Sequence, residues 1–328
     1  MSEVQPAFVV GQRRSGTHML RRVLDSHPDI TIAPELNFAV AFDPAAAPPM
    51  EAIYRELVRN RHYWYLGVGP RFLGDYTAEM RALVEDIGNK HRSQVAGGIV
   101  HFNFDRLVTI WPEGKFIRIV RDLRDVYASA RALGLDGNAW SVATLWAHGE
   151  RAWDRLAPSL GPTQALLVRY EDLVTEPEVT RTIFEFLGCD PAAALSADVG
   201  WGSRRPFATS ISKGRRNSGV ANYVLEAVAG QELEARGYRG GRSGPLARGL
   251  MRVLGPVMAW HDMIWRRRAA VDTYGLLLIA GGSLARRLRL KRLARLVRLA
   301  MAGHDEEAMR LHDLRHARSN PAPPGAPR

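Results

Sequence analysis

Five residues that could hold an anion stand together near the start of the chain. Arg13, Arg14, Ser15, Gly16 and Thr17 follow an apolar run, Ala7 to Val10, and precede a helical stripe of Met19, Leu20, Val23 and Leu24. A strand that turns into a helix here would present the unpaired N–H groups of the helix N-terminus to a phosphate or sulfate. Gly16 lets backbone approach such a group, Ser15 and Thr17 add hydroxyls, and Arg14 adds a permanent charge with fixed donors. The same phrase also suits a capped turn with surface arginines, and by itself it leaves both readings open. It is not the nucleotide-triphosphatase loop, which ends Gly-Lys-Ser/Thr and uses its hydroxyl to hold magnesium.

These residues need a frame. Apolar runs at 7–10, 30–32, 97–100, 116–120 and 165–168 read as strands. Helical patterns lie between them, at 104–111, from Asp122 past Ser129, and at 180–187, with a further helix from Tyr223 to Tyr238. Strands alternating with helices imply parallel pairing through crossovers, and so a three-layer α/β, P-loop-like fold with a central parallel sheet. In such folds ligands sit beyond the carboxyl ends of the strands. That is where Arg14, Glu35, His101 and Arg121 fall. Asp122, Arg124 and Asp125 read as an ordinary charged helix start, the acids favouring the helix dipole. The aromatic group Tyr63-Trp64-Tyr65-Leu66 has no evident place in this frame.

Arg14-Ser15-Gly16-Thr17 after a strand, with a helix running on to Leu24-Asp25-Ser26-His27-Pro28, resembles the 5′-phosphosulfate loop of the sulfotransferases. Arginine before Ser-Gly-Thr is similar to the bacterial and protein-tyrosine branch of that family. The resemblance implies 3′-phosphoadenosine 5′-phosphosulfate (PAPS) as co-substrate, with Arg13, Arg14, Ser15, Gly16, Thr17 and His18 at its 5′ end. His18 would contact the sulfate or simply cap the helix. A second stretch, Arg121-Asp122-Leu123-Arg124-Asp125-Val126-Tyr127-Ala128-Ser129, is similar to the family's second signature, which implies that Arg121 and Ser129 grip the 3′-phosphate. Leu167 to Leu173 looks like the family's strand–YEDL–helix segment. Ser210 to Asn217 looks like its late basic loop, which makes Lys213, Arg215 and Arg216 either 3′-phosphate contacts or solvated cations. The likeness extends over about residues 7–238.

Sulfuryl transfer needs a base for the acceptor hydroxyl and positive charge on the departing oxygen. Arg14 suits the second role, and no metal is required. By resemblance Glu35 and His101 compete for the first, with Glu35 preferred. The acceptor hydroxyl could belong to a glycan, a lipid or a small molecule. A P-loop-like small-molecule kinase is the alternative, although the loop carries no lysine.

Composition bounds the rest. The 328 residues are 46% hydrophobic and 24% charged, the balance of a globular protein. One cysteine, Cys189, rules out an internal disulfide and reads as packing. Met1 to Pro6 is a short polar lead unlike a signal peptide, so a cytoplasmic protein is expected. Of the net charge of +11, all lies in residues 239–328, with 18 Lys and Arg against 6 Asp and Glu. Within that tail, residues 245–302 are apolar and arginine-rich. They suit either peripheral contact with the inner face of an anionic membrane or a helical cap on the body. No nucleic-acid recognition motif accompanies the charge. The expected organisation is a sulfotransferase domain over 1–240, a basic helical extension over 241–320 and a disordered tail over 321–328.

Overall fold

A computed structural model describes residues 3–132, 137–194 and 211–239, and beyond them 244, 246–247, 249–251 and 253–261. The chain divides into two compact units, Met1–Gly255 and Pro256–Arg328. In the second, residues 256–261 are described, and they are helical. Most of the expected basic helical extension over 241–320, and the whole tail over 321–328, lie outside the described residues. No described helix is long and apolar enough to cross a membrane.

In the first unit five strands, β1 (Gln5–Val10), β2 (Ile30–Ala33), β3 (Val95–Val100), β4 (Lys115–Val120) and β5 (Ala165–Arg169), form one sheet in the order β2-β3-β1-β4-β5. Every neighbouring pair is parallel. The helices around the sheet include α1 (Thr17–Leu24), α2 (Met50–Leu57), α3 (Arg61–Trp64), α4 (Tyr76–His91), α5 (Phe104–Ile110), α6 (Leu123–Ala132), α7 (Ala139–Leu156), α8 (Tyr170–Thr175), α9 (Pro177–Leu187) and α10 (Gly219–Ala235). The three-layer expectation holds. All five expected strands are present, β1 and β3 each beginning two residues early.

Alternation along the strands builds two cores. Phe8, Val10, Ala96, Val100 and Phe116 face one side and meet Met80, Leu83, Ile87, Leu107 and Trp153 of α4, α5 and α7. Ala7, Val9, Ile99, Ile117 and Ile119 face the other and meet α1, α8 and α9 through Leu20, Leu24, Leu173, Phe184 and Leu187. The helix-stopping phrase after α1 ties the two ends of its turn. Asp25 accepts the Ile32 amide at 3.0 Å, and the buried His27 accepts the Asp29 amide at Nδ1, 3.1 Å. That leaves His27 Nε2 to donate to the Asp190 carbonyl at 3.0 Å.

One strand residue breaks the apolar pattern. Arg118 of β4 is wholly buried, with its guanidinium 5.3 Å from the Phe104 ring centroid and 5.9 Å from that of Trp153. Its Nη2 donates to Glu150 of α7, itself 1% exposed, and Glu150 accepts a second bond, 2.8 Å, from Nε of Arg236 just beyond α10. A charged residue in each of three separate segments thus shares one desolvated cluster. Removing Glu150 would strand Arg118 in the core, whereas Arg236 would keep its second partner, Asp154. Glu150→Ala is expected to destabilise the protein by about 3–5 kcal/mol in urea unfolding. A loss below about 1 kcal/mol, the scale of an exposed pair, would contradict this reading.

Candidate active site

The segment from Gly11 to Gly16 leaves the carboxyl end of β1 at the middle of the sheet. Gly11 N donates to Val100 O at 3.2 Å and Ser15 N to Gln12 O at 3.1 Å, which closes the turn. Arg14 and Gly16 both adopt left-handed backbone, φ 68° and 97°, an alternation that turns successive amides into an anion-binding concavity. Glycine is required at 16 for a second reason. A Cβ there would lie 2.3 Å from Cδ2 of Tyr170, which packs beneath the loop. Ser15 is 1% exposed, and its Oγ has no hydrogen-bond partner among the described residues. Buried hydroxyls are rarely left so, and this one fits a loop whose partner is a bound anion. Thr17 is also buried, whereas Arg13 and His18 are exposed.

β4 is the neighbour of β1, and its end supplies a second corner. Arg121 is 4% exposed, with its guanidinium 4.3 Å from the Tyr170 ring centroid, and Nη1 donates to Arg14 O at 3.2 Å. Nε of Arg14 donates to Ser129 Oγ of α6 at 3.2 Å. The two stretches that the sequence singled out, over one hundred residues apart, are therefore in direct contact. Beside them the turn Lys213–Arg216 lies against α6, Lys213 half-buried and Arg215 and Arg216 exposed. Ser210 lies outside the described residues.

On the far side of the loop the ends of β2 and β3 bring Glu35 and His101 together. His101 is 4% exposed; its Nδ1 lies 2.6 Å from Gly11 O and its Nε2 3.3 Å from Glu35 Oε1. A carbonyl only accepts, so Nδ1 carries hydrogen. Nε2 then faces a carboxylate oxygen, and the bond between them requires one more proton, held by the ring or by the acid. The two residues read as rivals form a single proton-sharing pair. Asn37 clamps it, donating from Nδ2 to Glu35 Oε2 at 2.6 Å and accepting the His101 amide at Oδ1, 2.8 Å. His18 Nε2 stands 3.6 Å from Glu35 Oε1. Burial pushes the Glu35 carboxyl upward, but hydrogen bonds and charge from His101 and His18 reverse this and hold it well below the usual carboxylate range. His62 of α3 is near enough to feel the same charges. Burial and then Arg61 lower its pKa, Glu35 opposes them, and Arg13 and His18 add to the lowering.

Three contributors were not visible in the sequence reading. Asn37 is two residues past Glu35, and nothing in its surroundings marked it. Tyr170, read as packing, does pack, but against the loop glycine and Arg121 together. Asp125, read as a dipole-favouring acid, is 3% exposed and accepts the Ser212 and Gly214 amides at 2.8 and 2.6 Å. Arg124 fits the helix-start reading better, paired with Asp122 at 2.7 Å and with Glu226 at 3.3 Å. Among the described residues no three His, Cys, Asp or Glu side chains cluster as metal ligands would.

Fold and site together define a parallel α/β protein with a nest-shaped loop after its central strand and an acid–imidazole pair beside it. The sulfotransferase family profile matches residues 6–192, more than half of the chain, and the chain belongs to that family. Solved structures it is similar to include the sulfotransferase domain of the Synechococcus PCC 7002 olefin synthase, at 22% identity over 74% of this chain and 98% of that one, TM-score 0.49. Sulfotransferase STF1 from Mycobacterium tuberculosis H37Rv is 17% identical over 68% of this chain and 77% of that one, TM-score 0.40. A mouse sulfotransferase, SULT7A1, solved with PAP, is 14% identical over 77% and 89%, TM-score 0.40. No curated protein matches the chain.

The depressed Glu35 value carries a stability signature. Above pH 4.5, the ordinary value, its carboxylate stabilises the fold, and that contribution is lost progressively as pH falls below it. Glu35→Gln has no such contribution to lose. The stability of the wild type relative to Glu35→Gln should therefore decline between about pH 5 and about pH 3 in urea titrations. A difference that stays constant would mean the carboxylate is not held low.

Proposed function

We propose that this sulfotransferase takes its sulfuryl group from PAPS and passes it to an acceptor hydroxyl, with the Glu35–His101 pair receiving the hydroxyl proton. The observation that carries the reading is the contact between the two anion-binding corners, Arg14 Nε on Ser129 Oγ and Arg121 on Arg14 O, in a loop that holds the unpartnered Ser15 Oγ. A nucleoside carrying anions at both its 5′ and 3′ positions suits two adjoining corners of this kind. The residues present fit it: the loop from Arg13 to His18 at the phosphosulfate, and Arg121, Ser129 and the turn of Lys213, Arg215 and Arg216 at the 3′-phosphate.

The donor supplies an activated S–O bond, which breaks toward its phosphate as the acceptor oxygen bonds to sulfur. Arg14, with the amides at the start of α1, offsets the charge that gathers on the departing oxygen. Glu35 takes the acceptor proton. His101, fixed by Gly11 O and directed at Glu35 Oε1, orients the carboxylate and keeps it ionised until the hydroxyl arrives. Asn37 holds the other carboxylate oxygen, so both oxygens of Glu35 are positioned, Oε2 by Asn37 and Oε1 by His101 and His18. The acceptor is a glycan, lipid or small-molecule alcohol. Peripheral contact of residues 245–302 with an anionic membrane belongs to the same reading. It is supported by the basic tail and by Leu246, 90% exposed, with Leu250, Val253 and Leu254 also open.

Calorimetric titration with adenosine 3′,5′-bisphosphate tests the donor assignment. Wild type should bind it, and Arg14→Ala and Ser129→Ala should each weaken binding about ten-fold or more, as expected for loss of a charge-assisted or buried hydrogen bond. Glu35→Gln should bind as wild type does yet transfer no labelled sulfate from PAPS, and ATP should support no transfer. No measurable affinity in wild type would end the reading, and normal turnover in Glu35→Gln would move the base to His101.

A further inference from the structure

The turn that carries Lys213, Arg215 and Arg216 is built around an acid on another element. Ser212 has left-handed backbone, φ 64°, and the amides of Ser212 and Gly214 converge on one carboxylate, each taking its own oxygen of Asp125. Convergent amides of this kind form an anion nest, and here the protein fills the nest with its own side chain. A non-glycine residue keeps left-handed backbone only where its surroundings over-determine it, and they do so here. Asn217 Nδ2 donates to Arg124 O at 3.0 Å, and Asn222 Nδ2 donates to Gly214 O at 3.2 Å. Gly214 is in such close contact that a Cβ would lie 2.5 Å from Cβ of Arg124.

The position of that acid matters as much as its bonds. Asp125 and Ser129 are one turn apart on α6 and share a face, and Arg121 stands one further turn back, with its Nη2 3.9 Å from Asp125 Oδ2. Asp125 therefore lies between Arg121, on one side, and the cationic turn, on the other. Without it Arg121 and the cationic turn would repel one another, and the Ser212 and Gly214 amides would lose their acceptor. We infer that Asp125 is a positioning residue that fixes the Lys213–Arg216 turn to the face of α6 bearing Ser129, and so sets the protein's preference for a nucleotide with a 3′-phosphate over one without. This rests on the donor assignment proposed above.

Two measurements on the full chain test it. The first compares calorimetric affinities for adenosine 3′,5′-bisphosphate and adenosine 5′-monophosphate in wild type, Asp125→Asn and Asp125→Ala. Asp125→Ala should lose about ten- to one-hundred-fold for the bisphosphate and less than about three-fold for the monophosphate. Asp125→Asn, which keeps one acceptor oxygen in the same shape, should fall between. Equal losses for both nucleotides, or none for either, would overturn the inference. Failure of wild type to bind the bisphosphate would instead strike the donor assignment. The second measurement needs no ligand. Trypsin should cut after Lys213, Arg215 or Arg216 several-fold faster in Asp125→Ala than in wild type under native conditions, with urea unfolding checking that the rest of the fold is intact. Unchanged cleavage in a folded variant would refute the tether directly.

Discussion

Parallel pairing in the order β2-β3-β1-β4 is the constraint on which the site depends. It sends four strands out through one edge of the sheet, and each leaves a reactive segment there: Glu35 after β2, His101 after β3, the Gly11–Gly16 loop after β1, and Arg121 after β4. Strands about 4.8 Å apart bring such segments into hydrogen-bond range without any long side chain having to stretch. From β1 the chain crosses to β2, turns back to β3 and then passes over β1 to β4, so the connections leaving the adjacent strands β1 and β4 run in opposite directions along the sheet. A crevice opens at such a point, and the loop sits in it.

How much of this could be read from the sequence divides along the line between local and non-local causes. The anion loop was legible because its signal is contiguous: an apolar run, small and hydroxyl residues, then a helical stripe. Arg121 was legible because it ends a strong apolar strand. The Glu35–His101 contact was not, since it follows from β2 and β3 being neighbours, and residue periodicity carries no strand order. Asp125 shows the same limit more sharply. An acid in the first turn of a helix is fully explained by the dipole, and the two amides it accepts are 87 and 89 residues away. Helix α7 escaped notice for a related reason. Its buried face includes Gly149 and Glu150, which interrupt the apolar stripe that would have announced it.

Glu150 also explains how a site at the edge of the sheet is held from behind. Arg118 joins it to β4, whose end bears Arg121, and Arg236 joins it to the end of α10, whose N-terminus follows the basic turn after only two residues. A buried ionic cluster of this sort is a poor source of net stability beside a well-packed apolar one, because desolvation consumes most of the attraction. Its geometry, however, is demanding: one carboxylate must meet two guanidinium groups from different segments. That requirement fixes α7 and α10 against β4 more tightly than interchangeable leucines would, and the turn at the head of α10 inherits the placement.

The two nests described above suit opposite uses, and the contrast follows from charge. In the Gly11–Gly16 loop the left-handed residues are Arg14 and Gly16, and the buried hydroxyl of Ser15, without a partner among the described residues, is on the proposed reading left for an anion from outside. In the Ser212–Gly214 turn the amides are already satisfied by Asp125, and only the side chains of Lys213, Arg215 and Arg216 are left to act. A turn with three cations and open amides would hold any small anion strongly and with little regard to what it is attached to. On the proposed reading, filling the nest from within lowers that general attraction while leaving the long cations for a ligand whose position is set elsewhere, by the loop and by Arg121. Selectivity at this corner then comes from where the cations are tethered rather than from how many there are.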